Sequence, residues 1–514
     1  MFFDSIVRFL IGPVSAWLFV SGWDELLVDL WFAWQATFAR DSWDVSLERL
    51  DRLAQQRLAL FIPCWMESGV IQEMVEHNLE IIDYRNYDLF LGVYPNDEQT
   101  LAKAAALERR HARVHVSVCP APGPTNKADC LNWIFQRMRL EEDTKGGRFD
   151  VVVQHDAEDL IHPKAFKLIN DLTGRDPARR YDMVQIPVLP LEMPARFVTY
   201  GTYCDEFAEY QLKDIYTRQS MGGFVPSAGV GTAFRREALE EIAASYRNQI
   251  FNINTLTEDY EIGLKFHRHG KRQFLVRKAV PLKGRNGNHG TNGTNGKGVV
   301  SLLRRWFAAG NRYRVEYIAT REYFPHTFST AVRQKSRWVM GVALQTWDQL
   351  GWRVSAKQWY WFWRDRKGLL GNPITLLSNA IFLYCLLMSA GAWVGHRNWS
   401  IARVFPAAGW VWWLVPFNTF FIFERWLYRA YAVNRMYGPR QALGVVWRTP
   451  IGNLINFAST ISALVQFFSA KIRRQEVPWA KTQHAFPSRE QLLADQGGPD
   501  PGLDPDDRTR STTA

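Results

Sequence analysis

Asp150-Val-Val-Val-Gln-His-Asp156-Ala-Glu158-Asp159 is a short valine run that ends in three carboxylates within four positions. A β-branched run this short suits a buried strand of a parallel sheet, apolar because both of its faces are covered. Three carboxylates crowded at its end repel one another unless a cation sits among them. Hard oxygen ligands suit Mg²⁺ or Mn²⁺ that also bridge a diphosphate. An ordinary acidic loop has the same composition, so the stretch alone leaves both readings open.

Similar β-rich runs lie to either side. Leu58 to Ile62, Leu89 to Val93 and Val114 to Val118 alternate with helical stretches, and this pattern continues to about Pro281. Strands alternating with helices predict a parallel sheet with crossover helices. Ligands of such sheets sit beyond the carboxyl ends of the strands, so the residues just after each run carry the most information. About a hundred residues past the acidic cluster, Thr257-Glu258-Asp259 precedes the helical run Tyr260 to Arg268. A carboxylate there can take a proton from an attacking hydroxyl, although a threonine followed by acids also reads as a simple helix cap. Further on, Gln334-Lys-Ser-Arg337-Trp338 sets Gln and Arg one helical turn apart with an indole next in sequence. Arg can hold a phosphate by two hydrogen bonds and Trp can stack under a sugar; a solvated basic helix beside a membrane fits this segment equally well.

A chain of 514 residues is too long for one ordinary core, and two or three units are expected. The apolar residues, 47% of the chain, cluster mostly towards its two ends, and the 22 tryptophans favour membrane interfaces first and sugar stacking second. The formal charge of +11 suggests nucleic acid only until it is located. Lys and Arg crowd beside apolar segments, as in Trp363-Arg364-Asp365-Arg366-Lys367 and Lys471-Ile472-Arg473-Arg474, which favours an anionic lipid surface and disfavours a nucleic-acid partner. Five scattered cysteines without C-x-x-C spacing suggest neither a disulfide frame nor a zinc site and fit reduced cytosol.

Ile6 to Val20 is an apolar run of near-spanning length with neither a basic leader nor a small-residue cleavage site, expected to be an uncleaved anchor. Trp23 to Trp34 reads as a helix lying in the interface, or alternatively as a soluble amphipathic helix. Asn286 to Gly298 is glycine and asparagine of low complexity, expected to form a mobile loop. Trp359-Tyr-Trp-Phe-Trp363 marks membrane entry. Ile374 to Val394 and Val404 to Phe423 are expected to form a membrane hairpin. The arginine-rich stretch Arg425 to Arg448 then lies in the cytosol by the positive-inside rule. Thr449 and Pro450 read as an N-cap and first-turn proline. The helix that follows has Ile451, Leu454, Ile455, Ile461, Leu464, Val465 and Phe468 on one face and Asn453, Asn456, Thr460 and Gln466 on the other. It is expected to lie in the interface, with a further span as the alternative. The composition from about Gln496 predicts a disordered tail.

The ordered series Asp-Ala-Glu-Asp, Thr-Glu-Asp and Gln-x-x-Arg-Trp, followed by membrane hairpins, resembles the processive family-2 glycosyltransferases such as cellulose and hyaluronan synthases. Ile62-Pro63-Cys-Trp-Met-Glu67 resembles their first strand-end element, Asn96-Asp97 their second-strand acid, and Gly123-Pro-Thr-Asn-Lys127-Ala-Asp-Cys-Leu-Asn132 their Gly-Lys-Ala-x-x-x-Asn element. Ser227 to Arg236 resembles their small-residue acceptor floor. With Ser21-Gly-Trp-Asp-Glu and Val477-Pro-Trp-Ala-Lys-Thr-Gln-His484, the chain looks nearest to the phage-adsorption protein B type of inner-membrane glycosyltransferase.

The resemblance implies a nucleotide-sugar-binding α/β domain of GT-A type, with a mixed, mainly parallel sheet, joined to transmembrane and interfacial helices. It implies an anchor region over 1–45, a cytosolic transferase domain over 46–345, membrane helices over 346–475 and a cytosolic tail over 476–514. By the same resemblance, Pro63, Glu67, Asp97, Lys127, Asp156 and Arg337 bind a UDP-linked donor, and Mg²⁺ or Mn²⁺ sits on Asp156 and on either Glu158 or Asp159. Gln334 and Trp338 hold the acceptor, a growing glycan or a lipid, and Asp259 beside Glu258 is the base of an inverting displacement. The expected location is a bacterial inner membrane, crossed more than once, with the catalytic domain in the cytosol. Larger relatives carry a C-terminal cyclic-dinucleotide-binding domain, which this chain is expected to lack. Transfer of a single sugar to a lipid carrier, and a non-catalytic receptor or scaffold on the same fold, are the alternative functions.

Overall fold

The computed structural model describes residues 2–38, 46–281, 315–352, 354–395, 398–405, 409–474 and 486–487. The glycine and asparagine loop at 286–298, the Val477 to His484 match and the tail from Gln496 lie outside the described residues.

The chain begins with α1 (Phe2–Phe38) and α2 (Leu47–Arg52). It then alternates β1 (Leu58–Pro63), α3 (Ile71–Ile81), β2 (Tyr87–Val93), α4 (Glu98–Arg110), β3 (Val114–Val118), α5 (Lys127–Lys145) and β4 (Val151–Gln154). After the acidic turn come β5 (Leu160–Ile161), α6 (Ala165–Thr173), β6 (Met183–Gln185), β7 (Val188–Pro190) and α7 (Val198–Glu209). A π-helical turn (Tyr210–Asp214) leads into α8 (Ile215–Ser220), β8 (Thr232–Arg235), α9 (Arg236–Ser245), α10 (Glu258–Arg268), β9 (Gln273–Leu275) and β10 (Ala279–Pro281). Then follow β11 (Val315–Tyr317), β12 (Thr320–Glu322), α11 (Phe328–Trp338), a second π-helical turn (Val339–Gln345), α12 (Thr346–Leu350) and α13 (Ala356–Arg366). The last helices are α14 (Gly368–Gly395), α15 (Val411–Tyr437), α16 (Pro439–Leu443) and α17 (Val445–Arg473).

The main sheet has the order β3-β2-β1-β4-β8-β6-β9. β1 runs parallel to β2 and β4, β2 to β3 and β6 to β9, while β8 is antiparallel to both of its neighbours. The sheet is therefore mixed and mainly parallel, as expected, and the four strand-forming runs read from the sequence appear as β1 to β4. β1, β2 and β4 are buried on both sides, while the edge strand β3 exposes Val118. Leu60, Leu89 and Val153 enter one core, and Phe61, Phe90 and Val152 enter another beneath α5 and α9. The chain leaves β1 towards β2 and β3 on one side and returns to β4 on the other, so the direction switches between β1 and β4. That crevice is where open α/β sheets receive ligands.

The membrane-facing elements depart from expectation in three ways. The predicted anchor and interfacial helix form one helix, α1. At about 1.5 Å rise per residue its 37 residues exceed a bilayer core of about 30 Å. Its C-terminal half instead packs against protein, where Asp24 meets Arg364 and Lys367 and Asp29 meets Lys213. The second arm of the predicted hairpin is displaced, because α15 starts at Val411 and runs through Glu424, Arg425, Arg429 and Arg435.

The third departure is α17. Helix starts at Val445, and Thr449 donates its hydroxyl to the Val445 carbonyl at 2.8 Å in place of capping. The middle of its polar stripe faces protein, where Asn456 contacts Glu206 and Lys335 and Thr460 accepts from Asn372, while Gln466 is exposed. Leu454, Ile461, Val465 and Phe468 face outward. A helix lying in an interface turns its polar side to water, whereas polar-in and apolar-out is the pattern of a lipid-facing helix. Among the described residues, α1, α14 and α17 are long and apolar enough to cross a membrane.

Candidate active site

The acidic cluster divides its labour. Asp159 turns inward, fully buried, with Oδ2 2.7 Å from Nδ1 of His155, and the same oxygen accepts the Asp156 backbone N–H at 3.0 Å. Burial raises the Asp159 pKa against the pull of His155. Asp159 thus shapes the turn. Glu158 is buried, while Asp156 is half-exposed beyond the end of β4.

Lys127 stands at the first turn of α5, whose N-cap Asn126 accepts the Asp129 N–H at 2.8 Å. Its ammonium lies 2.5 Å from Asp156 Oδ1 and donates to the Gly229 carbonyl at 3.3 Å. Burial works against this charge, but Asp156, Glu258 and Asp259 outweigh it and hold the Lys127 pKa above the usual lysine range.

Glu258 and Asp259 form the first turn of α10. The helix-cap reading fails, since Thr257 makes no capping bond and its side chain packs where a Cβ on Gly341 would fall. The carboxylates are oriented instead by their own surroundings. Tyr260 donates its backbone N–H to Asp259 Oδ1 at 2.7 Å, and Oδ2 faces Gly229, whose added Cβ would come within 2.9 Å of it. With φ of +76°, Gly229 adopts a left-handed conformation that a side chain would strain. Burial first and Asp259 next push the Glu258 pKa up to about 8; burial raises that of Asp259 too, opposed by Lys127.

Arg337, at the end of α11, completes the electrostatics. Burial lowers its pKa, while Asp156 and Glu258 resist the change. Trp338 lies half-buried on Tyr203 and Phe207, with ring centroids 6.2 and 6.0 Å away. Gln334 lies one turn before Arg337, on the same helix.

The expected donor residues after β1 and β2 are largely engaged in shaping the cradle. Asp97 caps α4 by accepting the Thr100 N–H, and its other oxygen takes the Met66 N–H at 2.5 Å, which ties the loop carrying Pro63 and Glu67 to β2. Asn96 exchanges hydrogen bonds with both backbone groups of Gly123, beside the Trp65 and Tyr94 rings. Asn132 likewise holds Phe251 by both backbone groups, tying α5 to the segment before α10.

The sequence did not single out Gln185. Buried on β6, it donates to the Ile186 and Val230 carbonyls and accepts from Ala228 N–H and Thr232, holding the 227–232 floor under Gly229. A glutamine at the end of an apolar strand carries no local sign of this role.

The profile of the family described as "Glycosyltransferase like family 2" matches residues 55–341, more than half the chain and all of the side chains above. The chain belongs to glycosyltransferase family 2. The chain is similar to the bacteriophage adsorption protein B of Escherichia coli strain K12, 35% identical over 477 residues and 92% of this chain. The bacteriophage N4 adsorption protein B of Escherichia coli O157:H7 matches to the same extent. The chain spans 61% of the length of these relatives. Among solved structures, the mannosyltransferase PcManGT from Pyrobaculum calidifontis, in complex with GDP-Man and Mn²⁺, covers 90% of this chain and 98% of its own at a TM-score of 0.46 and 12% identity. Glucosyl-3-phosphoglycerate synthase from Mycobacterium tuberculosis covers 40% of this chain and 65% of its own, with a TM-score of 0.25 and 16% identity. The family assignment rests on the profile.

Proposed function

We propose that this family-2 protein is an inverting glycosyltransferase of a bacterial inner membrane, with its catalytic domain in the cytosol, that uses a UDP-linked sugar to extend an exopolysaccharide. The observation that carries the reading is the convergence of Asp156 and Asp259 on Lys127, whose ammonium lies 2.5 Å from Asp156 Oδ1 and shares the surroundings of Gly229 with Asp259 Oδ2. Pro63, Glu67 and Asp97 line the side of the crevice that receives the nucleotide. Lys127 and Arg337 oppose the negative charge that develops on the leaving diphosphate. Asp259 takes the proton from an acceptor hydroxyl as its oxygen bonds to the anomeric carbon from the face opposite the departing phosphate. The bond to the phosphate breaks in the same displacement. Burial suits Asp259 to this work by lifting its pKa towards working pH. Gln334 and Trp338 hold the acceptor sugar in line.

Among the described residues, no three His, Cys, Asp or Glu side chains gather closely enough to cage a metal by themselves. Asp156, beyond the end of β4, and the buried Glu158 two residues on are the hard oxygen donors that would hold a divalent ion. Such an ion, Mg²⁺ or Mn²⁺, would be held there and would supply positive charge to the leaving group.

The test is nucleotide release by membranes containing the full chain, over a panel of UDP-sugars with and without Mn²⁺ or Mg²⁺. Asp259→Asn is expected to abolish release while donor binding persists. Wild-type turnover in that variant would remove Asp259 as the base.

A further inference from the structure

The catalytic carboxylate is tied to the membrane junction through one buried side chain. Tyr260 holds Asp259 Oδ1 with its backbone N–H at 2.7 Å and donates its hydroxyl to Asp365 Oδ2 at 2.5 Å. Arg218 grips the same Asp365 carboxylate with two bonds, 2.8 and 3.1 Å long, and its guanidinium lies 4.0 Å from the Phe224 ring centroid. Tyr260 and Arg218 are 5% and 4% exposed, so the cluster lies in protein, where a charged acceptor fixes a donor tightly.

Asp365 sits on α13, the helix carrying the aromatic belt. The adjacent face of α13 is clamped to α1. Tyr360 donates to Asp24 at 2.8 Å, Arg364 pairs with Asp24 at 2.6 Å and with Glu25 at 3.0 Å, and Lys367 pairs with both. One short helix thus joins the anchor on one side and the first turn of α10 on the other.

We propose that Asp365 is a positioning residue for Asp259, acting through Tyr260 and seated on a helix whose own place is set by the anchor α1. This inference rests on the transferase reading, in which Asp259 is the base. The link runs through covalent and hydrogen-bonded atoms only, from the Asp365 carboxylate to the Tyr260 hydroxyl, along the Tyr260 side chain to its N–H, and on to Asp259 Oδ1. Without the Asp365 acceptor the Tyr260 ring keeps its apolar contacts with Phe224 but loses the bond that fixes its rotation and depth.

The experiment compares wild type, Tyr260→Phe, Asp365→Ala, which leaves no side-chain acceptor, and the double variant, as full-length protein in membranes. Nucleotide release and hydrogen exchange of the segment spanning 256–262 are both measured. In each single variant kcat is expected to fall by about one to two orders of magnitude at unchanged donor KM. The double variant should be no worse than the poorer single one, because both changes cut the same link. The Tyr260 amide should exchange faster in Asp365→Ala. Unchanged kcat, a change confined to KM, or additive losses in the double variant would overturn the proposal. If wild type releases no nucleotide from any donor, the transferase reading falls, and the exchange result alone then decides the link: unchanged protection of the Tyr260 amide refutes it.

Discussion

Replacing Gly341 by alanine tests whether the helix of the Gln-x-x-Arg-Trp motif and the base share one rigid contact. A Cβ built on Gly341 falls 2.3 Å from Thr257 Cγ2, 2.4 Å from its Oγ1 and 2.8 Å from its Cβ. Non-bonded carbons rest at about 3.5 to 4.0 Å, so the two segments must separate by about 1 Å. Neither can yield by turning a flexible side-chain end, because Thr257 is β-branched and buried. The overpacking is expected to destabilise the protein by about 1 to 3 kcal/mol. Thr257 is bonded directly to Glu258, so a shift of that size reaches Asp259, and a 1 Å misplacement can lower turnover by about a hundredfold. The assay is kcat and donor KM of Gly341→Ala by nucleotide release, beside its thermal midpoint. Adding Thr257→Ala removes the two closest atoms and leaves the 2.8 Å approach, so partial recovery is expected. Wild-type kcat in Gly341→Ala, or no recovery in the pair, would refute the reasoning.

Two further outcomes follow from buried charge. Arg448 donates to both oxygens of Asp205, at 2.8 and 2.7 Å, and both residues are buried; Arg448→Leu leaves a buried carboxylate unpaired and is expected to destabilise the protein by about 3 to 5 kcal/mol, read as a lowered thermal midpoint in detergent, with Asp205→Asn on top recovering part of the loss. For Glu258, the folded pKa of about 8 lies above its ordinary 4.5, so between those values the folded protein keeps a proton that the unfolded chain has released. Stability should therefore fall as pH rises through that window, by at most about 1.4 kcal/mol per pH unit, and Glu258→Gln should flatten the decline in thermal midpoint between pH 5 and 8; an equal slope in the variant would show that Glu258 does not hold the proton.

What the sequence determined by itself was what neighbours along the chain can encode. Short runs rich in apolar residues and closed by polar ones marked β1 to β4 because strand formation and burial act over a few neighbouring positions. The order of Asp156, Asp259 and Arg337 was legible for the same reason, each motif being complete within a few residues. The tertiary structure decided which side of each element does the work. Asp159 turned inward onto His155, which lies four residues earlier in the chain and was not singled out. Asn456 and Thr460 of α17 turned to the protein because Glu206, Lys335 and Asn372 supply partners there, more than eighty residues away in each case. Gln185 and Asp365 gained their roles only through partners brought together by the sheet and by α13. Periodicity reports that a helix has two faces; which one meets protein depends on distant hydrogen-bond partners, and only packing brings those into reach.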